Sequence, residues 1–142
     1  MKIVLDTNVL VSGLLIPFGS SGEILRMVFS GELTLCLDAR ILAEYKDVLH
    51  RPKVKFNRDH ISISVLLDFI KQYGHFTSSA PLQIRLPDLD DEPFLEVAIA
   101  GQVVSLVSGN RIHYPASPFK GINILPPSQF VEFYRNQDKS GA

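Results

Sequence analysis

The sequence predicts an α/β fold in which a mostly parallel sheet is covered by helices on both faces. Two short and mainly apolar runs, Ile3–Leu5 and Val103–Val107, predict strands that are buried on both faces. Segments with helical periodicity separate these runs from other apolar runs. Because strands that alternate with helices favour parallel pairing through right-handed crossovers, we expect a single sheet between helical layers.

Capping and helix-breaking residues delimit the predicted elements. Ser20 and Glu23 have the spacing of a capping box, Asp38 is placed to cap another helix, and Gly74 ends a strongly apolar one. In chain order we expect a strand at 3–5, helices to about 15 and from 20 to about 30, a strand at 33–37, helices at 39–50 and about 63–73, a weak strand within 75–86, a helix at 93–101, strands at 103–107 and 122–124, and a helix from 126 to about 134.

The bulk composition is that of one globular domain. The 142 residues are 46% hydrophobic and 20% charged, and we expect one domain over residues 1–135 and a polar tail over residues 136–142. The net charge of −1 excludes a strongly basic protein, so binding to nucleic acid would need local positive patches.

The single cysteine and the apolar runs bear on localisation. Cys36 is the single cysteine and cannot form an intramolecular disulfide, which favours a reducing compartment. It lies in a predicted strand, so we expect an inert, buried thiol. No apolar run approaches membrane-spanning length. The chain enters its first strand at once, without room for a signal peptide, so we expect a cytoplasmic protein with no membrane contact.

Three acidic residues stand where they could form a site. Asp6 directly follows the first strand, at the edge where open α/β sheets bind ligands; alternatively it only caps the next helix. Glu44 borders the apolar stripe of its helix and is otherwise a member of a surface ion pair. Asp91 begins the inward face of the helix at 93–101 and is otherwise an acid favoured by the helix dipole. Glu96 is expected on the opposite face.

The positions of these residues relative to the strands indicate a shared site. If the strands at 3–5 and 103–107 are neighbours, Asp6, Asp91 and Asn110 share one edge of the sheet. Clustered carboxylates repel one another and favour a bound cation. Oxygen ligands select Mg²⁺ or Mn²⁺, which can polarise a phosphoryl oxygen and activate a water molecule.

Four segments in order resemble the successive motifs of the PIN domain family: Val4–Leu10, Leu42–Tyr45, Asp91–Ala98 and Leu106–Asn110. The resemblance spans roughly residues 1–134 and is closest to the VapC-like putative toxins of toxin–antitoxin pairs. It implies a three-layer α/β/α fold with a five-stranded sheet, and an Mg²⁺- or Mn²⁺-dependent endoribonuclease that acts on RNA and has a partner antitoxin protein.

The resemblance also implies roles for individual residues. It assigns the catalytic and metal-binding acids to Asp6, Glu44 and Asp91, and supporting polar positions to Thr7 or Asn8 and to Ser108. The chain departs from the family at Asn110, where many members have a fourth acid. No acid occurs from Ser108 to Gln129. The departure predicts weaker metal binding at Asn110, leaves open one metal or two, and allows an alternative in which the domain binds RNA or protein without cleavage.

Other residues offer contacts to RNA or to a second copy of the chain. His113 either assists a leaving group or is a surface imidazole. The apolar helix at about 63–73 has more apolar surface than one core face needs, which allows a homodimer. Positive residues that could contact phosphates, unless they only form a solvated loop, are Arg51, Lys53, Lys55, Arg58 and Arg111, with Arg40 and Lys46.

A phosphatase of the haloacid dehalogenase type is the other enzyme class considered, since it also starts with an Asp that closes a buried strand. That chemistry needs a second Asp two residues later, and this chain has Asn8. No P-loop, nucleophile elbow or cysteine pattern for zinc is present in the sequence.

Overall fold

A computed structural model describes residues 1–51 and 60–140 of the chain. One or two helices follow each strand except the third, which a 3₁₀ turn at Leu89–Asp91 separates from the next helix, and the fourth, which a 3₁₀ turn at Arg111–His113 joins to the fifth. The elements are β1 (Lys2–Leu5), α1 (Thr7–Leu15), α2 (Ser20–Phe29), β2 (Thr34–Leu37), α3 (Ala39–Leu49), α4 (His60–Tyr73), β3 (His75–Phe76), α5 (Glu92–Gly101), β4 (Ser105–Val107), β5 (Asn123–Leu125) and α6 (Pro127–Ser140).

The five strands form one sheet in the order β3-β2-β1-β4-β5, and every pairing is parallel. Ile3, Val4 and Leu5 are all fully buried. Because consecutive strand residues point to opposite faces, helices must cover both faces of β1. This confirms the predicted α/β fold with a central parallel sheet.

The sheet order creates a crevice beside β1. The chain proceeds from β1 to β2 and β3 on one side, and then returns to place β4 and β5 on the other side. The point at which the strand order reverses lies between β1 and β4, and in open α/β sheets this is where ligands bind beyond the strand ends. Leu5 pairs with Val107, so Asp6 and Ser108 stand side by side at this edge.

Two local expectations differ from the structure. The capping box predicted for Ser20 and Glu23 is wrong, because Gly19 is the N-cap residue of α2 and no side chain caps the helix. Glu23 instead accepts a bond of 2.7 Å from Arg135 of α6. The final helix is also longer than expected: α6 runs to Ser140 and includes residues 136–140 of the segment assigned to a tail.

Other local expectations hold. The Asp38 side chain caps α3 by accepting a bond of 3.0 Å from the Ile41 backbone N–H, as predicted. Cys36 is fully buried, and burial raises the pKa of its thiol. The raised pKa keeps the thiol protonated and unreactive, as expected of core.

Although the sequence places Glu96 on the face of its helix opposite Asp91, its side chain is buried. Glu96 is only 7% exposed, and its carboxylate accepts bonds of 2.7 Å from Arg40 and 2.9 Å from the Leu82 backbone N–H. Glu92, one turn earlier, likewise accepts bonds of 2.9 Å from Arg85 and 3.0 Å from the Leu86 N–H. Both carboxylates therefore fasten the irregular segment 77–88 onto α5.

Within residues 1–51 and 60–140, none of the single helices has both the length and the apolar character needed to cross a membrane. The helices α1 and α2 reach that length and apolar character only when taken together, and the pair is bent by 98°.

We predict that Glu96→Ala lowers the free energy of unfolding by about 2–3 kcal/mol, since it leaves the buried Leu82 N–H without an acceptor and removes one of the two carboxylates that Arg40 binds. Urea denaturation measures the change. Glu96→Gln keeps an acceptor and should lose less, and Glu132→Ala, at an exposed position of α6, should change stability by no more than about 0.5 kcal/mol. A Glu96→Ala protein as stable as Glu132→Ala contradicts the role of Glu96 in holding the segment.

Candidate functional site

Asp6 lies at the floor of the crevice between β1 and β4. Its backbone N–H continues the sheet ladder with a bond of 3.0 Å to the Val107 carbonyl. The carboxylate is almost buried, with the residue 5% exposed, and its Oδ2 atom accepts bonds of 2.8 Å from Ser108 and 3.1 Å from Tyr114. Asp6 is the N-cap residue of α1, yet its side chain makes no capping bond. The alternative that Asp6 only caps the helix is therefore not what the structure shows.

Glu44 is brought to the same place by two contacts that flank Asp6 in the chain. The Tyr45 hydroxyl donates a bond of 2.5 Å to the carbonyl of Leu5, and the Thr7 hydroxyl donates to the Glu44 carboxylate. One contact precedes Asp6 and the other follows it, so together they fix α3 against the end of β1. Glu44 is consequently half-buried next to Asp6 instead of projecting freely into solvent.

Asp91 reaches the site from the 3₁₀ turn that leads into α5. Its side chain makes no capping bond to the helix; one carboxylate oxygen lies 3.1 Å from Nδ1 of His113, and its side chain is 14% exposed. His113 ends the second 3₁₀ turn, and Tyr114, which holds Asp6, is the next residue. The loop after β4 thus contacts both carboxylates.

The three acids share one electrostatic environment. Burial, followed by the charges of Asp6 and Asp88, raises the pKa of Asp91 to about 6, against the opposing effect of His113. Burial, together with the charges of Asp6 and Asp90, also raises the pKa of Glu44, although the bond from Thr7 opposes the shift. The charge of Asp6 therefore raises the pKa of both Glu44 and Asp91.

This donor set fits a divalent cation. Burial and the charge of Asp6 oppose the ionisation of Glu44 and Asp91, so a positive ion nearby would stabilise their charged forms. Carboxylate oxygen is the ligand that Mg²⁺ and Mn²⁺ prefer. Among the described residues, the group whose candidate ligand atoms all lie within 4.8 Å of one another is Asp88, Asp91 and His113. This group shares only Asp91 with the predicted set, since Asp6 and Glu44 are not part of it.

The polar positions that the sequence suggested occupy different surroundings. Thr7 and Ser108 are buried and donate to Glu44 and Asp6. Asn110 lies beside them, because its backbone N–H donates a bond of 3.0 Å to the Ser108 hydroxyl. Asn8 is exposed on α1, so Thr7 and not Asn8 is the residue that supports a carboxylate.

Sequence reasoning missed two residues of the site. Tyr114 is 7% exposed, and burial together with the charges of Asp6 and Asp91 raises the pKa of its hydroxyl, which keeps its proton available to Asp6. Tyr114 stands in irregular chain without periodicity, where no local pattern could assign it. Asp88 belongs to an acidic turn that the sequence shows, but its approach to His113 depends on the fold.

The positive residues are only partly available to a ligand. Arg40 binds Asp38 and Glu96 at 2.7 Å each, so its charge is already compensated. Arg51 pairs with Asp47 on the surface at 2.7 Å, and its charge lowers the pKa of Glu44, which places it near the site. Arg111 and Lys46 are exposed, whereas Lys53, Lys55 and Arg58 lie outside the described residues.

Comparison with known proteins adds one finding. A family model described as a PIN domain matches residues 2–112, which include all four of the segments that suggested this family. No curated protein matches the chain.

The raised pKa of Asp91 predicts a stability that depends on pH. Since the pKa in the folded, metal-free protein is about 6 and the ordinary value is 3.8, the contribution is full below about pH 4 and is lost as the pH rises through about 6. Asp91→Asn should therefore gain about 1–2 kcal/mol relative to wild type at pH 8 compared with pH 4. Denaturation with chelator at both pH values measures this gain; Asp47→Asn, an exposed site, is the control. A difference that does not change with pH contradicts the crowding of these acids.

Proposed function

The chain belongs to the PIN domain family, and on that premise we propose that it is a metal-dependent endoribonuclease that hydrolyses RNA phosphodiester bonds. The family implies a nuclease-type fold whose members generally use a divalent metal ion. The observation that carries the proposal is the arrangement at the end of β1, where Asp6 is held by Ser108 and Tyr114 and its charge acts on Glu44 and Asp91.

We assign the ion to Asp6, Glu44 and Asp91, with the Asn110 amide as a neutral fourth ligand. When bound, Mg²⁺ or Mn²⁺ would polarise the scissile phosphoryl group and activate the attacking water. The surrounding residues hold these ligands in place: Thr7 occupies one oxygen of Glu44. Ser108 and Tyr114 both bind Oδ2 of Asp6, so the other oxygen, Oδ1, is not needed to fix this carboxylate.

RNA must be held by local positive charge, because the chain as a whole carries a net charge of −1. Arg111 is exposed in the loop that also supplies His113, and Arg51 is near Glu44. We propose that these two residues contact phosphates on either side of the scissile bond. Lys53, Lys55 and Arg58, which lie outside the described residues, are proposed as further phosphate contacts.

We further propose that the protein is the toxin of a toxin–antitoxin pair, restrained in the cytoplasm by an antitoxin protein. The likeness of its four motifs to VapC-like proteins supports this. Arrest of growth on induced expression, relieved by Asp6→Asn, would support the toxin role; unimpaired growth with active enzyme present would count against it.

A homodimer is proposed through α4, where Val65 and Tyr73 are 55% and 59% exposed.

The replacement of a fourth acid by Asn110 favours one alternative, a domain that binds RNA or protein but does not cleave. The same cleavage assay separates the two functions. Metal-dependent retention of RNA without any cut product would establish the alternative.

We predict that Asp6→Asn and Glu44→Gln each lower the single-turnover rate of RNA cleavage at least about a hundredfold, since each removes a negative ligand of the ion. The measurement uses labelled single-stranded RNA in Mg²⁺ or Mn²⁺, with chelator as a blank and circular dichroism to verify folding. Glu132→Gln is the control, because Glu132 is exposed on α6 and is not one of the proposed ligands or RNA contacts. Cleavage by Asp6→Asn at the wild-type rate would refute the proposed site.

A further inference from the structure

The geometry points to His113 and Asp88 as additional ligands of the divalent ion at Asp91, with the His113 imidazole supplying the donor that a fourth acid would otherwise provide. This inference deepens the proposed function and rests on it. The inference has a chemical consequence. A site with a nitrogen donor should prefer Mn²⁺ to Mg²⁺ more strongly than a site made only of oxygen ligands does.

The three side chains converge from two separately anchored segments. Asp88 and Asp91 belong to one turn, in which the Asp91 N–H donates a bond of 3.1 Å to the Asp88 carbonyl and the Asp88 carboxylate accepts 2.9 Å from Asp90. His113 is anchored from the other side, where its N–H donates a bond of 3.0 Å to the Asn110 carbonyl. Both segments are thus fixed independently of the contact between their side chains.

The contacts of the neighbouring residues tie this cluster to the proposed active site. Asn110 precedes His113 by three residues and bonds to Ser108, and Tyr114 follows His113 and bonds to Asp6. Candidate ligand atoms of Asp88, Asp91 and His113 all lie within 4.8 Å of one another, close enough to share an ion. His113 therefore lies on the same loop as Asn110, whose neutral amide stands where many family members have a negatively charged acid.

The donor set determines the preferred ion. Mg²⁺ keeps its water shell and favours carboxylate and phosphate oxygen, whereas Mn²⁺ also accepts imidazole nitrogen. Two carboxylates would balance the charge of a divalent ion, and the imidazole nitrogen would hold Mn²⁺ more firmly than Mg²⁺. In the competing interpretation, His113 only pairs with Asp91 and competes with the cation for that carboxylate.

Metal binding measured by calorimetry at about pH 8 tests the inference. We expect His113→Gln to weaken Mn²⁺ binding at least about tenfold and Mg²⁺ binding by less than about threefold. His75→Gln is the matched control, because His75 is exposed on β3 and is not part of the cluster. Pulsed electron paramagnetic resonance of bound Mn²⁺ should show coupling to a nitrogen nucleus in the wild type and in His75→Gln, and none in His113→Gln.

Three results would overturn the inference: no nitrogen coupling in the wild type, equal loss of Mn²⁺ and Mg²⁺ affinity in His113→Gln, or tighter binding of both ions by that variant. Parallel RNA cleavage by the wild type separates this failure from failure of the proposed function. Cleavage without an effect of His113 on ion binding overturns the ligand assignment alone. A wild-type protein that neither binds Mn²⁺ nor cleaves RNA overturns both.

Discussion

The parallel pairing of β1 with β4 is the constraint on which the rest of the site depends. The register that aligns Leu5 with Val107 places Asp6 beside Ser108, although 102 positions separate these two residues in the chain. The hydrogen bond from Ser108 and the second bond from Tyr114 then orient the carboxylate. Because both strands are buried between helices, a slip of one residue would turn side chains that are packed against one helical layer toward the other layer, and the register is therefore strongly specified.

The other acids are arranged around this fixed point at a cost in stability. Burial and the negative charge of Asp6 raise the pKa values of Glu44 and Asp91, so ionising these groups in the metal-free protein opposes folding. The fold offsets the cost through contacts nearby: Tyr45 holds α3 to β1, while Glu92 fastens the segment that leads into the acidic turn. Ionisable groups that lower stability and have shifted pKa values in a crevice are typical of a functional site.

Sequence reasoning could predict those parts of the structure that follow from local pattern. The apolar run before Asp6 identified β1, and the order of strands and helices identified a parallel sheet. It could not predict that Glu96 is buried, because helical periodicity does not reveal that the segment 77–88 crosses the outer side of α5. Tyr114 was missed for a similar reason: its contact with Asp6 spans 108 positions, and the irregular segment around Tyr114 has no period that the sequence can show.

The most direct measurement is the anomalous difference density of crystals grown in Mn²⁺. The central claim is that acids distant in sequence hold one divalent ion at the end of β1. It predicts a strong peak in contact with the carboxylates of Asp6 and Asp91, on the crevice side of Ser108. A well-ordered map with Mn²⁺ only at other positions, or with these carboxylates turned away from one another, would contradict the claim.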